Sequence, residues 1–442
     1  MLINGNSIHI PLQDKSVHCV ITSPPYFGLR DYQTARWEGG DPLCQHTVST
    51  PDADNKAVFD DRVSRRHSHT HCLKCGALRI DNQIGLEDTP DEYVAKLVTV
   101  FREVWRVLRD DGTLWLNLGD SYARQAGDDS TKETDSGIKT GRTGKSDKLF
   151  KSGNNTPPIG LKPKDLIGIP WRVAFALQAD GWYLRRDIIW HKENCMPESV
   201  DDRPTTSHEY MFLLSKKQRY FYDADAIREP LSSVTIERDK SPRGRRQNGG
   251  GSYDSMTGIP YTPELGDMTS NPQGRNRRSV WTINTQPYNG AHFATFPTAL
   301  VLPMVLAGTS EYGVCSVCGA PWKRSVDRES RYEKRETAHA HNNTPTKVDS
   351  TGWQSPIITD NGFIPTCKCG AEIIQPIVLD PFCGSGTVGE VCRNTGRKFI
   401  GIDLSSTYLH ELAAQRAEGK IFIKQEVNGE LKTLVTEQRR LF

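Results

Sequence analysis

A glycine-rich loop near the end of the sequence constrains the fold more than any other feature. The apolar run 376–379 leads into DPFCGSGTVG, a helix-like stretch continues to Arg397, and a second strand-like run, 398–402, ends at Asp403. Strand, glycine loop, helix, strand and acid in this order predict a βαβ unit whose loop approaches a ligand and whose acid binds ribose hydroxyls. Only 37 of the 442 residues follow Ser405, too few to complete a doubly wound sheet. The missing strands must come from the N-terminal half, so the sequence predicts a permuted sheet.

The N-terminal half contains the strands and helices that such a sheet needs. Strand-like and helix-like patterns alternate there, which favours an α/β fold with a doubly wound, mostly parallel sheet. The strand-like runs are 17–22, 113–118, 183–190 and 209–214, and the helix-like runs are 91–108 and 170–179. A turn at residues 110–112 separates the first helix from the strand that follows it.

Two consecutive prolines follow the strand-like run 17–22, in the sequence TSPPY. Neither Pro24 nor Pro25 has a backbone N–H, and each restricts the residue before it to extended geometry. The carbonyls of Ser23 and Pro24 therefore cannot enter a helix that starts there. Ligands of parallel α/β sheets bind beyond the carboxyl ends of the strands. SPPY and the glycine loop both occupy that position, so we expect them to face one cleft.

With these two motifs in this order, the chain resembles the β-class amino-methyltransferases of DNA, which use S-adenosylmethionine. TSPPY resembles the catalytic motif of that family, and DPFCGSGT resembles its cofactor loop. Further stretches resemble other family blocks in the same order: FREVWRVLRDDGTLWLNLGDSY, IIWHKENCMPES, TTSHEYMFLLSKK, SVWTI and HFATFPTALVLPMVLAGTS. The resemblance implies a permuted, Rossmann-like methyltransferase fold, to which the cysteine spacing described below adds zinc-knuckle insertions.

The resemblance also implies roles for individual residues. The target base is flipped out of the duplex, and its amine donates hydrogen bonds to the Ser23 hydroxyl and the Pro24 carbonyl. Tyr26 stacks on the base, with Phe27 as a candidate second ring, and the implied catalytic residues are Ser23, Pro24, Pro25 and Tyr26. The implied cofactor-binding residues, among which Asp403 binds the ribose, are Asp380, Pro381, Phe382, Gly384, Gly386, Thr387, Asp403, His292, Phe293, Phe296 and Pro297.

The serine of SPPY favours the N4 amine of cytosine as the target, and the N6 amine of adenine is the alternative within the same class. Carbon-5 methylation of cytosine needs a cysteine nucleophile in a Pro-Cys context, and the sequence around Cys44 reads Pro-Leu-Cys-Gln. Two remote alternatives remain: a nicotinamide-dependent oxidoreductase, which the glycine fingerprint fits, and a non-enzymatic zinc DNA-binding protein. Tritium transfer from labelled S-adenosylmethionine to DNA would distinguish the three classes.

Eight residues form two groups with the spacing of zinc ligands. Four thiols on two turns, each turn followed by glycine, predict a tetrahedral site; they are Cys315, Cys318, Cys367 and Cys369. The second group is Cys44, His46, Cys72 and Cys75, in which His67, His69 and His71 compete with His46. Neither site leaves an open position for water, so we expect two structural zinc ions.

These motifs divide the chain into three predicted segments. Residues 1–227 form the N-terminal part of the methyltransferase domain, with a zinc-binding insertion at 37–80 and a polar loop at 123–164. Residues 228–278 are arginine-rich and are predicted to recognise the target DNA or to form a flexible segment. Residues 279–442 form the C-terminal part of the domain, with a second zinc-binding insertion at 311–372.

Charge and hydropathy limit the partners. A formal net charge of +2 means that affinity for double-stranded DNA has to come from local basic patches. No apolar run reaches the length of a membrane span, and the N-terminal residues lack the features of a signal peptide. The Cys-x-x-Cys pairs indicate metal binding in a reducing compartment. We therefore expect a cytoplasmic enzyme; the family resemblance implies a bacterial, archaeal or phage origin and a companion restriction endonuclease as a candidate partner.

Overall fold

The computed structural model describes residues 1–28, 32, 34–46, 71–72, 74–123, 160–240, 274–286, 296–329, 332–341, 344–353, 357–418, 420–427 and 430–437. His67, His69, His292 and Phe293 lie outside these ranges, as do most of the predicted polar loop 123–164 and most of segment 228–278. The chain forms two compact units. Unit 1 comprises Met1–Tyr220, Trp281–Val301 and Ile377–Phe442, and unit 2 comprises Phe221–Val280 and Leu302–Pro376. The segment boundaries predicted above stay a prediction.

The strands in chain order are β1 (Leu2–Asn4), β2 (Val17–Thr22), β3 (Arg36–Glu38), β4 (Leu78–Ile80), β5 (Leu108–Leu118), β6 (Tyr183–His191), β7 (His208–Ser215), β8 (Val280–Thr282), β9 (Val314–Cys315), β10 (Trp322–Glu329), β11 (Tyr332–His341), β12 (Thr344–Trp353), β13 (Ile357–Pro365), β14 (Ile373–Ile374), β15 (Ile377–Asp380), β16 (Lys398–Asp403), β17 (Lys420–Val427) and β18 (Glu430–Glu437). The α-helices are α1 (Pro90–Val107), α2 (Ile169–Ala179), α3 (Ser233–Lys240), α4 (Thr298–Gly308), α5 (Thr387–Asn394) and α6 (Ala414–Glu418). A 3₁₀ turn spans Asp225–Ile227, and a π-helical turn, Tyr408–Ala413, precedes α6.

An eight-stranded sheet organises unit 1, with the strand order β1-β16-β15-β2-β5-β7-β6-β8. The first five strands pair in parallel, whereas β7 is antiparallel to both β5 and β6. β15 and β16 come from the C-terminal part of the chain, yet they lie between β1 and β2 from its beginning. This topology confirms the predicted permuted, mostly parallel α/β sheet. The three-residue edge strand β1 is an addition to the prediction.

Helix α1 is specified both by the capping residues at its N-terminus and by the helical spacing of its apolar side chains. Thr89 caps the helix in a reciprocal capping box with Glu92, and Pro90 occupies the first turn. Side chains at helical spacing, Tyr93, Leu97, Val100, Phe101 and Val104, are buried in the core of unit 1. The helix thus closes one side of the core beneath β2, all six residues of which are buried.

The predicted turn at residues 110–112 lies inside a strand. β5 begins at Leu108, and its register with β2 advances from Val17–Leu108 to Cys19–Thr113, so the intervening residues form a bulge. A Cβ on Gly112 would lie 2.8 Å from the His18 carbonyl oxygen, which explains a glycine at this position. The turn chemistry was therefore predicted at the right place, but the chain rejoins the same strand after it.

Unit 2 contains three antiparallel strand pairs, and one of their strands, β9, includes Cys315. β9 pairs with β14, β10 with β13 and β11 with β12. The Tyr312 ring packs against Trp322 and Phe363, with centroids 4.8 and 5.5 Å away.

Among the described residues, no helix combines the length and the apolar character that a membrane crossing requires.

Candidate active site

The two predicted motifs leave the same edge of the sheet. β2 and β15 are adjacent and parallel, with Cys19 opposite Val378 and Val20 opposite Leu379. The last residues of the two strands are also joined, because the Thr22 hydroxyl donates a hydrogen bond of 2.7 Å to Asp380 Oδ1. Ser23 follows Thr22, and Pro381 begins the glycine loop after Asp380. The structure therefore brings SPPY and the glycine loop to the ends of neighbouring strands.

The two proline carbonyls have different surroundings. The Tyr93 hydroxyl donates to the Pro25 carbonyl at 2.8 Å, which anchors the SPPY turn to α1. Among the described residues, no hydrogen bond ends on the Pro24 carbonyl. That oxygen keeps its capacity to accept a hydrogen bond from a ligand.

The Tyr26 hydroxyl is the centre of a polar cluster. Its oxygen lies 2.6 Å from Glu209 Oε2, 3.0 Å from Asn117 Oδ1 and 3.4 Å from Ser23 Oγ. Burial, and then the Glu209 carboxylate, raise the pKa of Tyr26 well above its ordinary value, so the phenol stays protonated. A Cβ on residue 119 would lie 2.6 Å from Tyr26 Cε2, so the glycine there makes room for the ring.

Phe27 does not provide a second ring at the site. Its side chain is only 7% exposed and packs in the core, with its centroid 5.6 Å from that of Tyr93. The expectation that Phe27 stacks on a flipped base is wrong, because the turn after the prolines points this ring into the sheet–helix core instead.

The glycine loop is tied to the acid at the end of β16. Asp403 Oδ2 accepts from the Gly384 N–H at 2.8 Å, and Oδ1 accepts from the Ser405 N–H at 2.9 Å. Gly384 and Gly386 have φ values of 50° and 77°, and a Cβ on Gly386 would lie 2.8 Å from Ala413 Cα. Burial raises the pKa of Asp403, and the two N–H donors oppose that rise. The loop and the acid thus form one structural element.

The other predicted cofactor residues surround this element. The Pro381 carbonyl accepts from the Ser7 hydroxyl, Phe382 packs partly buried against the core, and Thr387 begins α5. Phe296 is half-buried and Pro297 is buried, directly before α4. His292 and Phe293 lie outside the described residues. Contact of these residues with a cofactor stays a prediction.

Four polar residues at the site were missed by the sequence analysis. Asn117 is 1% exposed within the apolar run LWLNL, and this isolated polar residue in a buried strand was an available signal. Glu209 is the second residue of the apolar strand β7, and Lys192 pairs with it. Arg416 donates to Glu390, Ser385 and Thr387 and so clamps the glycine loop. Only the folded chain brings Lys192 and Arg416 to these partners.

Both groups of potential metal ligands are assembled. In unit 1, Cys44, His46, Cys72 and Cys75 present one ligand atom each, all within 4.8 Å of one another. The Sγ atoms of Cys44 and Cys72 are 3.9 Å apart, and Cys75 Sγ is 3.3 Å from His46 Nδ1. The competing His71 lies instead in a bridge with Leu78, and its ring is outside the cluster.

The second group lies within unit 2. Cys315, Cys318, Cys367 and Cys369 also bring their sulfur atoms within 4.8 Å of one another, with 3.5 Å between Cys318 and Cys369. The Gly319 N–H donates to the Cys315 carbonyl and closes the first turn. Sulfur ligands about 2.3 Å from a tetrahedral zinc ion would be about 3.8 Å apart. Both clusters have the dimensions of such a site, and all eleven cysteines are free of disulfides.

A permuted α/β sheet with a glycine loop and a serine–proline motif at one edge has the architecture of a nucleotide-cofactor enzyme. The family model of the N6/N4 DNA methylases, described as DNA methylase, matches residues 17–316 and 372–415. The chain is 34% identical over 421 residues to the Type II methyltransferase M.Cfr9I of Citrobacter freundii, covering 95% of this chain and 88% of the relative. It is 35% identical over 407 residues to the Type II methyltransferase M.SmaI of Serratia marcescens, covering 92% and 85%.

The structure of the PvuII DNA methyltransferase (cytosine-N4-specific) is also similar, at 13% identity and a TM-score of 0.41, covering 92% of this chain and 83% of that one. The family model and the two sequence relatives carry the assignment. The chain belongs to the N6/N4 family of DNA methylases, which confirms the predicted amino-methyltransferase class.

The buried carboxyl of Asp380 should make stability depend on pH. Burial raises its pKa from 3.8 to about 7, and the Asp403 carboxylate adds to that rise. The folded state therefore binds a proton more tightly than the unfolded state, so stability falls as pH rises from about 4, near the ordinary pKa of an aspartate, to about 7. Asp380→Asn, which keeps an oxygen to accept from Thr22, should remove this part of the pH dependence in thermal denaturation of the cofactor-free protein.

Asp201→Asn is the matched control, because Asp201 is an exposed aspartate. This variant should retain the pH dependence of the wild type. If Asp380→Asn and the wild type lost stability in parallel across that pH range, the junction between β2 and β15 would not hold a protonated carboxyl.

Proposed function

We propose that this chain transfers the methyl group of S-adenosylmethionine to the N4 amine of cytosine in double-stranded DNA. The observation that carries the proposal is the position of two neutral acceptors, the Ser23 hydroxyl and the Pro24 carbonyl, beside the glycine loop at one sheet edge. The similarity to Type II methyltransferases supports DNA as the substrate and a restriction–modification role, with a companion endonuclease as the partner.

The residues at the end of β16 fit the cofactor. Asp403 retains acceptor capacity for the ribose hydroxyls beyond its two backbone hydrogen bonds. Gly384 and Gly386 let the backbone approach the ligand, and the Arg416 clamp keeps the loop in place. S-adenosylmethionine would supply an electrophilic methyl group on a sulfonium, so the protein has to orient and polarise the amine rather than form a covalent adduct.

The SPPY turn fits that task. The lone pair of an exocyclic amine is delocalised into the base, which makes it a weak nucleophile. Hydrogen bonds from the amine to Ser23 Oγ and to the Pro24 carbonyl would draw electron density onto the nitrogen and fix its direction. Tyr26 would hold the flipped base by stacking. The two prolines and the hydroxyl of Tyr93 keep the acceptors rigid.

The modified base is the direct test. Nucleosides from DNA treated with the protein and S-adenosylmethionine should contain N4-methylcytosine when analysed by mass spectrometry. A serine, smaller than the aspartate or asparagine of related motifs and uncharged, suits a pyrimidine held close to the end of β2. N6-methyladenine as the product would overturn the choice of base and leave the class intact; Ser23→Ala protein is the control for contaminating activity.

The acid at the end of β16 should contribute directly to cofactor affinity. Asp403→Ala should weaken binding of S-adenosylhomocysteine by about 1–3 kcal/mol through loss of charge-assisted hydrogen bonds. Because Asp403 also holds the Gly384 N–H, calorimetry should be repeated with the 2′-deoxy and 3′-deoxy analogues. If the acid binds ribose, the affinity lost through Asp403→Ala and the affinity lost through removal of a ribose hydroxyl are not additive. Fully additive losses with both analogues would mean that Asp403 acts only through the loop.

We also propose that both cysteine clusters bind zinc. The two donor sets supply four ligands each, Cys₃His from Cys44, His46, Cys72 and Cys75, and Cys₄ from Cys315, Cys318, Cys367 and Cys369. Such closed coordination leaves no position for a catalytic water, and transfer from a sulfonium needs no Lewis acid. The metal would therefore stabilise the fold around β3–β4 and around β9–β14.

Metal content measures this proposal. Tag-free protein should contain about two zinc ions per chain, and Cys318→Ser about one, with a lower melting temperature because site binding energy is folding energy. Cys195→Ser is the matched control, since Cys195 belongs to neither cluster, and it should keep both ions. Zinc near zero in active wild-type protein would exclude both sites, and a content near one would exclude the histidine-containing site.

A further inference from the structure

A chain of polar side chains runs from the SPPY turn into the sheet. Ser23 Oγ is 3.4 Å from the Tyr26 hydroxyl, which is 2.6 Å from Glu209 Oε2. Lys192 Nζ donates to the other carboxylate oxygen of Glu209, and the side chains of Lys192 and Glu209 are 17% and 18% exposed. The Lys192 ammonium also lies over the Trp190 ring, 4.2 Å from its centroid. The Lys192 ammonium is thus held both by the Glu209 carboxylate and by the Trp190 ring.

The chemistry of these groups gives the chain a direction. A carboxylate paired with an ammonium has acceptors and no donor, so Tyr26 must donate its only hydroxyl proton towards Glu209. The raised pKa of Tyr26 keeps that proton on the phenol. The oxygen of Tyr26 can then only accept, and among its other two neighbours only Ser23 has a proton to donate, because the Asn117 atom that faces it is the amide oxygen.

Asn117 imposes the same direction independently. Its Nδ2 donates to Glu209 Oε2 and to the Tyr210 carbonyl, both at 3.1 Å. Rotating the amide would set its oxygen against these two acceptors, so the orientation of Asn117 is fixed. Its Oδ1, 3.0 Å from the Tyr26 hydroxyl, is therefore a second acceptor beside the phenol.

We propose that Glu209, held by Lys192, is a positioning residue that sets the polarity of this chain and so makes Ser23 an acceptor for the target amine. With its own proton directed to Tyr26, Ser23 Oγ presents lone pairs to the amine N–H. In the opposite polarity Ser23 would donate to the nitrogen and withdraw the lone pair that attacks the methyl group. The inference rests on the proposed function and adds two residues outside the SPPY motif to it.

The test is a double-mutant cycle between the two ends of the phenol bond. Glu209→Gln is isosteric but can donate to Tyr26, and Tyr26→Phe keeps the stacking ring without the hydroxyl. Each should lower kcat about 10- to 100-fold, with KM for DNA and for S-adenosylmethionine changed less than about 3-fold. The kcat of the double variant should be no lower than that of the more impaired single variant, because either change breaks the same chain of hydrogen bonds.

Activity is measured as tritium transfer to unmethylated genomic DNA, which reports turnover whichever base is modified. Glu193→Gln is the matched control: the same chemical change on the exposed neighbour of Lys192, expected to leave kcat unchanged. If Glu209→Gln does not fold, by circular dichroism, Lys192→Met replaces it in the cycle with the same expected result.

Two outcomes would overturn the inference. They are wild-type kcat in a folded Glu209→Gln or Lys192→Met variant, and losses that multiply in the double variant. A product of N6-methyladenine would overturn the cytosine proposal alone, since the kinetic comparison would stand. A wild-type protein that transfers no methyl group to DNA would overturn both.

Discussion

The parallel pairing of β15 with β2 is the constraint on which unit 1 depends. It joins segments from opposite ends of the chain, and the bond from Thr22 to Asp380 spans 358 positions. Because neighbouring parallel strands end at the same edge, the pairing places SPPY beside the glycine loop. One strand inserted between them would separate the motifs by a further 4.8 Å or so and would remove the Thr22–Asp380 contact. In this permuted chain, the site therefore assembles only because β15 and β2 are adjacent.

The site keeps polar groups inside a sheet whose buried residues are mostly apolar. Asn117 is 1% exposed and yet bonds to Glu209 and Tyr210, and its remaining oxygen faces Tyr26. A buried polar network is stable when each member is satisfied and costly when one member is left unpaired. An apolar residue at position 117 would deprive Glu209 of a donor. The members of the network therefore stabilise one another in the fold, independently of any role in catalysis.

The sequence predicted those features whose signal is local. Strand β2 was placed at its observed ends because all its residues are buried and two prolines stop it. The edge strand β1 was missed because three residues carry no periodicity, and its conformation comes from pairing with β16. The contact of Tyr26 with Glu209 spans 183 positions, so only the sheet order brings the two together. Phe27 shows the same limit, since its direction depends on Tyr93 in α1.

The proposed acceptors at the amine are both uncharged, and the ion pair behind them explains how this suffices. A carboxylate placed directly against the base would have to lose its water without a fixed cationic partner, which costs several kcal/mol. Lys192 and Asn117 offset that cost for Glu209, which lies two hydrogen bonds away from Ser23. The Lys192–Glu209 pair carries no net charge. It therefore sets the direction of the hydrogen bonds from Ser23 through Tyr26 and does not attract the base electrostatically. A neutral base can then enter the site without displacing a charge, and the polarity of the chain still decides which lone pair faces it.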